Sequence, residues 1–351
     1  MSKVERKRAV VLFNLGGPDR PEAIKPFLLN LFRDPAILRV PFFVRPLLAR
    51  WIAWARVKPA TENYSLLGGK SPLLELTERQ ARALEDTLSD GTKCFVAMRY
   101  WHPFSEETAR AVKEFGPDEI LLLPLYPQYS TTTTGSSLTA WREAAAQVGL
   151  VARTTALCCY PDDPGFSAAT AALLRASLIE ARANIPDGVR TKVLFSAHGL
   201  PETIVARGDP YQDQVERSVA GVLAALGEEV DWTICYQSRA TPQKWISPST
   251  DDEIRRAGTD GMALVVVPIA FVSDHSETLV ELDIEYRELA EKAGVPAYFR
   301  VPVANDFPPF IAALADLVRR TVGPGLCAGR KDGICTEKHV DCPHRRAGMV
   351  A

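Results

Sequence analysis

The sequence predicts an α/β protein with two Rossmann-like, doubly wound lobes, each built around a parallel sheet. Short apolar runs rich in β-branched residues alternate with amphipathic helical segments, which is the pattern of βαβ units. Several runs, such as EILLLPLY and ALVVVPIAF, are apolar throughout, as expected of parallel strands that helices cover on both faces. The order strand, loop, helix, strand that begins at Met98 recurs from Cys235, so we expect the two lobes to be alike.

The predicted strands fill both lobes in order. They lie at 9–14, 94–100 and 120–126 in the first lobe, and at 153–158, 192–198, 232–236, 263–271 and 297–301 in the second. With 351 residues the chain is long enough for two domains, which we place at 1–148 and 149–322. Residues 323–351 lose the periodicity and contain three cysteines, so they are predicted to form an extension. An active-site cleft is expected between the lobes.

Composition and charge exclude several classes of protein. The formal net charge of −2 and the lack of any block of Lys or Arg argue against a nucleic-acid partner. The first residues do not resemble a secretory signal, and no run approaches the length of a membrane-spanning helix. Seven cysteines, an odd number, do not fit a secreted disulfide framework. We therefore expect a cytoplasmic protein whose thiols stay reduced.

One segment, residues 31–58, departs from the alternating pattern. Apolar residues and arginines are interleaved in LFRDPAILRVPFFVRPLLARWIAWARVK. Two interpretations are open: a helix that packs its aromatic residues into the core, or a basic hydrophobic lip that contacts a membrane surface or holds an apolar ligand. The large apolar side chains of this segment are Phe42, Phe43, Leu47, Leu48, Trp51 and Trp54.

Candidate functional residues follow the predicted strands, because ligands of open α/β sheets bind at the carboxyl ends of the strands. His198 and a glycine turn follow VLFSA, and Ser273, Asp274, His275 and Glu277 follow VVVPIAF. A lone histidine is more often structural, but the position of His198 between a buried strand and a turn favours catalysis. The glycine pairs in NLGGP and LLGGKSP match neither a dinucleotide fingerprint nor a Walker A loop, so no nucleotide site is predicted.

A row of glutamates begins at the same strand end as His275. Glu277, Glu281 and Glu285 are spaced four apart, so a helix would place them on one face. Such a row fits a solvated helix face, yet like charges at this spacing repel one another. Two functions would explain it: binding of Fe²⁺, which oxygen and imidazole ligands suit, or proton relay between close carboxyls of raised pKa.

These residues lie in motifs that resemble those of the ferrochelatase family. The matching segments occur in the family's order between Val10 and about Val318: NLGGP, MRYWHP, YPQYSTTTTGSSL, FSAHGLP, GDPY and SDHSETLVELDIEY. The resemblance implies that the chain inserts Fe²⁺, its metal substrate, into protoporphyrin IX to form protohaem, the terminal step of haem biosynthesis. It implies no nucleotide or organic cofactor.

By the same resemblance, His198 accepts pyrrole protons, and Glu277 begins an acidic path with Glu281 and Glu285 behind it. His275 is expected to orient this network. Whether His198 and Glu277 first bind the iron or only move protons is left open. Arg99 is expected to pair bidentately with a propionate, while the aromatic residues either contact the ring or lie in the core. The implied porphyrin contacts are Arg99, Tyr100, Tyr126, Tyr64 and Trp245.

The C-terminal extension resembles that of family members with a 2Fe–2S cluster. An internal cysteine, Cys158 or Cys159, must then supply the fourth thiolate, and we choose Cys158 because adjacent strand residues face opposite ways. A zinc site that includes His339 or His344, and free thiols, are the alternatives. The other three cluster ligands implied are Cys327, Cys335 and Cys342.

The sequence leaves several other functions open. A sister chelatase that acts on coproporphyrin or on another metal is the nearest, and a non-catalytic haem or metal carrier and an iron–sulfur electron carrier belong to different classes. A carrier would not need a histidine that faces an acidic row, and the cysteine-rich tail is peripheral to the strand ends. The expected partners are a porphyrin and the surface of the inner membrane, without nucleic acid, and the expected assembly is a monomer or homodimer.

Overall fold

Two parallel sheets organise the chain. The computed structural model describes residues 7–239, 243–321, 325–327 and 335–343, which divide between two compact units. The first unit comprises the described residues up to Cys159 together with those of 314–334 and Pro343. The second unit comprises the described residues of 160–313 and 335–342.

Every predicted strand is present, and one short strand was not predicted. In the first unit the sheet order is β2-β1-β3-β4-β9, in the second it is β6-β5-β7-β8, and all strand pairs are parallel. The predicted α/β fold is therefore confirmed. The strands are β1 Arg8–Asn14, β2 Lys93–Met98, β3 Glu119–Pro124, β4 Arg153–Leu157, β5 Thr191–His198, β6 Asp231–Gln237, β7 Ala263–Pro268, β8 Tyr298–Arg300 and β9 Gly325–Cys327.

Helices connect the strands, and some have clear sequence signals at their ends. Asp163 caps α6, because its carboxylate accepts hydrogen bonds from the backbone N–H groups of Gly165 and Phe166. None of the helices in the described ranges is both long and apolar enough to cross a membrane. The helices are α1 Ile24–Arg33, α2 Arg45–Ser65, α3 Leu73–Leu88, α4 Ser105–Phe115, α5 Thr134–Val148, α6 Pro164–Asn184, α7 Glu202–Val205, α8 Tyr211–Leu226, α9 Thr250–Thr259, α10 Tyr286–Lys292 and α11 Pro308–Arg320, with a 3₁₀ turn at Pro21–Ala23 and a π-helix at Glu277–Glu285.

Each sheet has its own core. In the first unit Val11 and Leu122 pack with Trp141 of α5. In the second unit Leu194 of β5 packs with Leu282 of the π-helix. Burial of Leu282 against the sheet fixes the π-helix at the carboxyl ends of the strands, where the candidate residues lie.

The two sheets share one strand order once the short β9 is set aside. In each sheet the strand that comes first in the chain lies between the second and the third, as β1 lies between β2 and β3, and β5 between β6 and β7. The strand order reverses at that point, and ligands of open α/β sheets bind beside it. The similarity of the two halves that the sequence predicts is therefore present in their topology.

The boundary between the two lobes, predicted after residue 148, lies too early in the chain, because the first unit continues to Cys159. β4, which was assigned to the second lobe, pairs with β3 in the first sheet from Glu119↔Arg153 to Leu122↔Ala156. The C-terminal extension is not wholly irregular either, because β9 pairs with β4 from Thr155↔Gly325 to Leu157↔Cys327. The first sheet thus contains strands from both ends of the chain.

The glutamate row lies on a π-helix and not on the α-helix that its spacing predicts. Residues Glu277–Glu285 form this wider helix, in which backbone N–H groups bond to carbonyls five residues earlier. Glu277 and Glu281 remain neighbours, since the hydroxyl of Ser238 contacts both carboxylates. The prediction of the row was therefore correct in placing these two side chains together, although its helix type was wrong. Such helices are rare and often occur at functional sites.

Candidate active site

The carboxyl ends of β5 and β7 bring His198 and Glu277 together. These strands are paired neighbours; β5 ends at His198, and the loop after β7 leads to Glu277 at the start of the π-helix. The Nδ1 atom of His198 lies 2.8 Å from the Oε2 atom of Glu277. The His198 side chain keeps 39% of its surface exposed and the Glu277 side chain 25%, so a ligand can reach both. Two residues predicted at one sheet edge are thus in direct contact.

Glu281 is fixed by hydrogen-bond donors at the end of β6. The backbone N–H of Ser238 donates to its Oε1 atom at 2.9 Å, and the Gln237 side-chain amide donates to Oε2 at 3.0 Å. The hydroxyl of Tyr286 donates to Oε1 at 3.2 Å. Sequence reasoning missed Gln237 and Ser238, although both directly follow a predicted strand. The same rule that identified the other candidates would have found them.

Further along the π-helix the glutamate row approaches the surface. Glu281 is partly buried and Glu285 is exposed. His275 approaches the same Glu277 oxygen as His198, with its Nε2 atom 4.0 Å from Oε2 of Glu277 and its Nδ1 atom 3.1 Å from the carbonyl oxygen of Ser273. Because His275 is buried, it can stabilise the ionised form of Glu277 but offers little surface to a ligand.

The carboxyls and the imidazole have displaced pKa values. Burial opposes charge on Glu277, but the adjacent His198, and then His275, lower the pKa of Glu277 to about 2. Burial and the negative charge of Glu277 together raise the pKa of Glu281 above its ordinary value. Burial tends to lower the pKa of His198, but attraction to Glu277 outweighs this, and the pKa is raised. An ionised carboxylate and a carboxyl that retains its proton more readily therefore stand side by side, which is an arrangement suited to proton transfer.

In the first unit, Arg99 is already bound to a buried acid. Its Nη2 atom donates to Oδ2 of Asp34 at 2.8 Å, and its Nε atom donates to Oγ of Ser136 at 2.5 Å. The hydroxyl of Tyr100 donates to the same Asp34 oxygen at 2.8 Å. Sequence reasoning missed Asp34, which lies within the segment interpreted as a lip. These bonds use the N–H of Nε and one N–H of Nη2, and a guanidinium has five N–H donors, so the bidentate pairing of Arg99 with a propionate stays a prediction.

A pocket of about 260 Å³ adjoins this arginine. It is lined by Asn30, Arg33, Asp34, Pro35, Arg99 and Phe104. The pocket therefore combines the carboxylate of Asp34 and an aromatic ring with the hydrogen-bond donors of two guanidinium groups and one amide, next to the carboxyl end of β2. Such donors suit an anionic group of a ligand.

The aromatic candidates differ in their access to a ligand. Tyr100 has no exposed surface and Tyr64 is 7% exposed, and both belong to the core of the first unit. Tyr126 is partly buried, and burial raises the pKa of its hydroxyl. In the second unit Trp245 is partly buried. It lies beside the turn after His198, since a Cβ atom built on Gly199 would be 3.3 Å from Cε3 of Trp245. Only Tyr126 and Trp245 have appreciable surface available.

An apolar patch covers the start of α2 and the loop before it. Its side chains point outward and do not pack into the core: Phe42 is 79% exposed and Trp54 70%. The core-helix interpretation of this segment is therefore wrong for these side chains. Exposed large apolar side chains that follow one another so closely are typical of surfaces that bind a partner, a membrane or a ligand. The apolar patch consists of Phe42, Phe43, Val44, Leu47, Trp51 and Trp54.

The cysteines of interest fall into two places. Cys158 and Cys159 are buried at the end of β4, with their Sγ atoms 3.3 Å apart. The β4–β9 register sets Cys327 opposite Leu157, one residue before this pair. Cys335, to which the Gln214 amide donates at 3.4 Å, and the buried Cys342 lie on the segment 335–343. Side chains with described positions include no group of three or more potential metal ligands.

The zinc alternative involves two histidines. The Nδ1 atom of His339 lies 3.3 Å from the backbone nitrogen of Thr336 and 3.2 Å from its hydroxyl, so this ring nitrogen is already engaged. His344 lies outside the described residues.

Comparison with known proteins decides the family. The sequence profile of the ferrochelatase family matches residues 7–322. The chain belongs to the ferrochelatase family. It is 52% identical to the ferrochelatase of Caulobacter vibrioides over 98% of this chain and 99% of that protein, and 51% identical to that of Phenylobacterium zucineum over 98% and 100%. The fold is also similar to that of SirB from Bacillus subtilis, solved with Fe³⁺, with a TM-score of 0.51 and 13% identity over 90% of this chain and 95% of that chain.

Membership of the ferrochelatase family confirms the predicted class of function. The chain is an enzyme, a metal chelatase that uses Fe²⁺ as a substrate and takes part in haem biosynthesis. The carrier and electron-carrier alternatives are not favoured. The strand-end residues predicted from the motifs all lie in the part of the chain that the family profile matches.

We expect Glu277→Gln to lower the pKa of His198. The amide removes the attraction that outweighs burial, so burial then holds the pKa of the imidazole below its ordinary value. The neutral imidazole, the form that can accept a proton, would persist to lower pH, and the acid limb of any His198-dependent rate would move to lower pH. NMR titration of the His198 Cε1–H signal measures this shift. Glu285→Gln, which removes the exposed member of the row, is the matched control and should leave the titration unchanged; an unmoved pKa in Glu277→Gln would refute the electrostatic account.

Proposed function

We propose that this chain inserts Fe²⁺ into protoporphyrin IX and that His198 accepts the protons that leave the pyrrole nitrogens. The contact between Nδ1 of His198 and Oε2 of Glu277, at 2.8 Å, is the observation on which the proposal rests. Since Glu277 is an ionised acceptor, Nδ1 donates, and Nε2 is left with the lone pair that can take a proton. The similarity to ferrochelatases over nearly the whole chain supports the identity of the reaction.

Glu277 stabilises the positive charge that His198 gains with each proton. A carboxylate in hydrogen-bond contact favours the imidazolium, which agrees with the raised pKa of His198. The Ser238 hydroxyl links Glu277 to Glu281, and Glu285 is exposed beyond them. Protons are therefore proposed to leave along this row towards solvent. The same His198 and Glu277 offer the imidazole and carboxylate donors that suit incoming Fe²⁺.

The porphyrin contacts are assigned according to accessibility. Trp245, beside the His198 turn, and Tyr126 are proposed to contact the ring. Arg99 is proposed to pair with a propionate through Nη1 and Nη2, because the bonds to Asp34 and Ser136 use only two of its five N–H donors. Tyr100 acts indirectly, since its hydroxyl shares the Asp34 oxygen with Arg99. Protoporphyrin is favoured over coproporphyrin because the porphyrin with fewer carboxylates is the one that would partition into the membrane surface to which the apolar patch is proposed to bind.

We expect His198→Ala to fold normally and to lose metalation by roughly 10²–10⁴-fold, the usual contribution of a placed acid or base. Anaerobic Fe²⁺ insertion into protoporphyrin and coproporphyrin, measured side by side for wild type and variant, tests the base and the substrate together. His102→Ala is the matched control, because His102 is an exposed histidine of the first unit that contacts Glu107. The base assignment fails if the variant keeps more than about a tenth of the wild-type rate, and the substrate assignment fails if coproporphyrin is the better acceptor.

The apolar patch is proposed to bind a membrane surface. Leu47, Trp51 and Trp54 are spaced four and three residues apart on α2, so they share one face of the helix. Arginines are interleaved with them, as in helices that lie on anionic bilayers with their apolar face buried in the interface. A helix of this kind associates with the surface of a bilayer without crossing it.

Replacing Phe42, Phe43 and Trp51 together with serine should reduce co-sedimentation with anionic lipid vesicles while sparing the fold. The loss follows from the removal of the exposed apolar area, and added salt should weaken the wild-type binding because surface charges are screened. Ile179→Ser combined with Val151→Ser is the control, since these residues are 61% and 94% exposed outside the patch. Unchanged co-sedimentation of the triple variant would contradict the membrane assignment, and a selective loss of porphyrin affinity would assign the patch to substrate capture.

A 2Fe–2S cluster on Cys158, Cys327, Cys335 and Cys342 is the second part of the proposal. The donor chemistry fits, because thiolates are the ligands of such clusters. The β4–β9 register, which sets the backbone of Cys327 beside the end of β4, supports a ligand set that joins Cys327 to the Cys158–Cys159 pair, from which we keep Cys158. The Gln214 amide near Cys335 would support a thiolate at that position. When bound, the cluster would supply a one-electron centre and a visible chromophore.

The purified protein should be reddish-brown and contain iron and labile sulfide in equal amounts. Serine at any one of Cys158, Cys327, Cys335 or Cys342 should bleach the colour, because a serine oxygen is a poor match for iron–sulfide chemistry. Cys94→Ser and Cys235→Ser are the controls: burial raises the pKa of both thiols to about 12, so they are poor thiolate ligands. A colourless protein that contains zinc would contradict the cluster. Colour that survives Cys158→Ser but not Cys159→Ser would show that Cys159, and not Cys158, is the fourth ligand.

A further inference from the structure

One arginine holds both ends of the segment that presents Glu277 and Glu281. Arg300 lies on β8, which pairs with β7, and its guanidinium forms a bidentate pair with Asp283: Nε to Oδ1 and Nη2 to Oδ2, each 2.7 Å. The third nitrogen, Nη1, donates to Oδ1 of Asp274 at 3.2 Å. Asp274 precedes the π-helix and Asp283 lies within its last turn, so the two glutamates lie between the two anchored aspartates.

The Asp274 end is fixed by a second set of hydrogen bonds. The backbone N–H of Asp274 donates to Oδ1 of Asn305 at 2.9 Å, and the Asn305 amide donates to Oδ2 of Asp274 at 2.8 Å. The hydroxyl of Thr278 donates to Oδ1 of the same aspartate at 2.8 Å. Asn305 has a φ of +43°, a conformation that asparagine tolerates better than most residues. Asp274 is thus held independently of Arg300, and Arg300 ties Asp283 to this fixed point.

The π-helix needs contacts of this kind, because π-helical hydrogen bonding is rare and local propensity does not favour it. Leu282 holds the buried face of the helix against the sheet. On the polar face, the planar fork of Arg300 fixes the orientation of Asp283, since bidentate pairing fixes direction as well as distance. The Arg300 side chain is only 12% exposed, so its charge pairs are weakly screened.

We propose that Arg300 is a positioning residue for metal insertion: by joining Asp274 to Asp283 it holds the π-helix so that Glu277 and Glu281 face His198. Arg300 does not contact the reacting atoms in this role. The inference depends on the proposed function of the His198–Glu277 pair, whose test is separate. A small displacement of a catalytic group is enough to cost a large factor in rate, which gives the anchor its effect on catalysis.

Arg300→Lys is the central variant, because lysine keeps the charge and loses the fork. We expect kcat for anaerobic Fe²⁺ insertion into protoporphyrin to fall about tenfold or more, while the porphyrin KM changes little. We also expect faster amide hydrogen exchange across 275–285 in the protein without substrate. Arg182→Lys is the matched control: Arg182 is an arginine of the second unit whose ion pair, with Glu228, involves neither the π-helix nor β8, so kcat and exchange should be unchanged.

Asp283→Asn supplies a second route should Arg300→Lys fail to fold, and it should reproduce both effects. Where both variants fold, the double variant should be no worse than the worse single one, because the two residues act as one contact. Additive losses, or faster exchange with unchanged kcat, would overturn the proposal and leave Arg300 with a merely structural role. Glu277→Gln in the same assay separates the two failures, since unchanged kcat in that variant would refute the proposed function itself.

Discussion

The parallel pairing of β5 with β7 brings an imidazole and a carboxylate to the same sheet edge, and the remainder of the second unit's site is built on that contact. His198 ends one strand and Glu277 begins the helix after its neighbour, and their hydrogen bond keeps one carboxyl ionised beside another that resists ionisation. Partly buried charges are costly unless they are paired and hydrogen-bonded. Here Ser238, Gln237 and His275 supply those partners. The sheet and its loops therefore determine which of the two carboxyls is ionised, and the proton transfer proposed for His198 depends on that arrangement.

Much of this could be predicted from the sequence because the strands are strongly patterned and ligands bind at strand ends. Runs such as ALVVVPIAF identify buried parallel strands, and the strand-end rule then leads directly to His198 and Glu277. Identification of the family required the motifs, since neither composition nor periodicity specifies a porphyrin.

The errors have a common cause, which is that tertiary contacts override local pattern. An α-helix and a π-helix both accept glutamates spaced four apart, so the spacing alone does not predict the helix type; the contacts of this helix with the sheet, such as Leu282 in the core and Asp283 on Arg300, come from distant segments. β9 is too short to show a strand pattern and forms only because β4 offers an open edge. The sequence leaves open whether Tyr100 contacts the ring or lies in the core, and it does not indicate that Asp34 binds Arg99 across 65 residues, because both depend on packing between distant segments.

The first sheet contains strands from both ends of the chain, and this has a consequence for synthesis. β1 leaves the ribosome early, but β9, which extends the same sheet beyond β4, leaves after the continuous part of the second unit, residues 160–313. The second unit is continuous from 160 to 313 and can acquire its core while the first sheet still lacks its last strand. During that interval β4 is an open edge, available to pair with another chain. Nascent chains that stall before β9 therefore present an additional open edge that the pairing of β9 with β4 covers later.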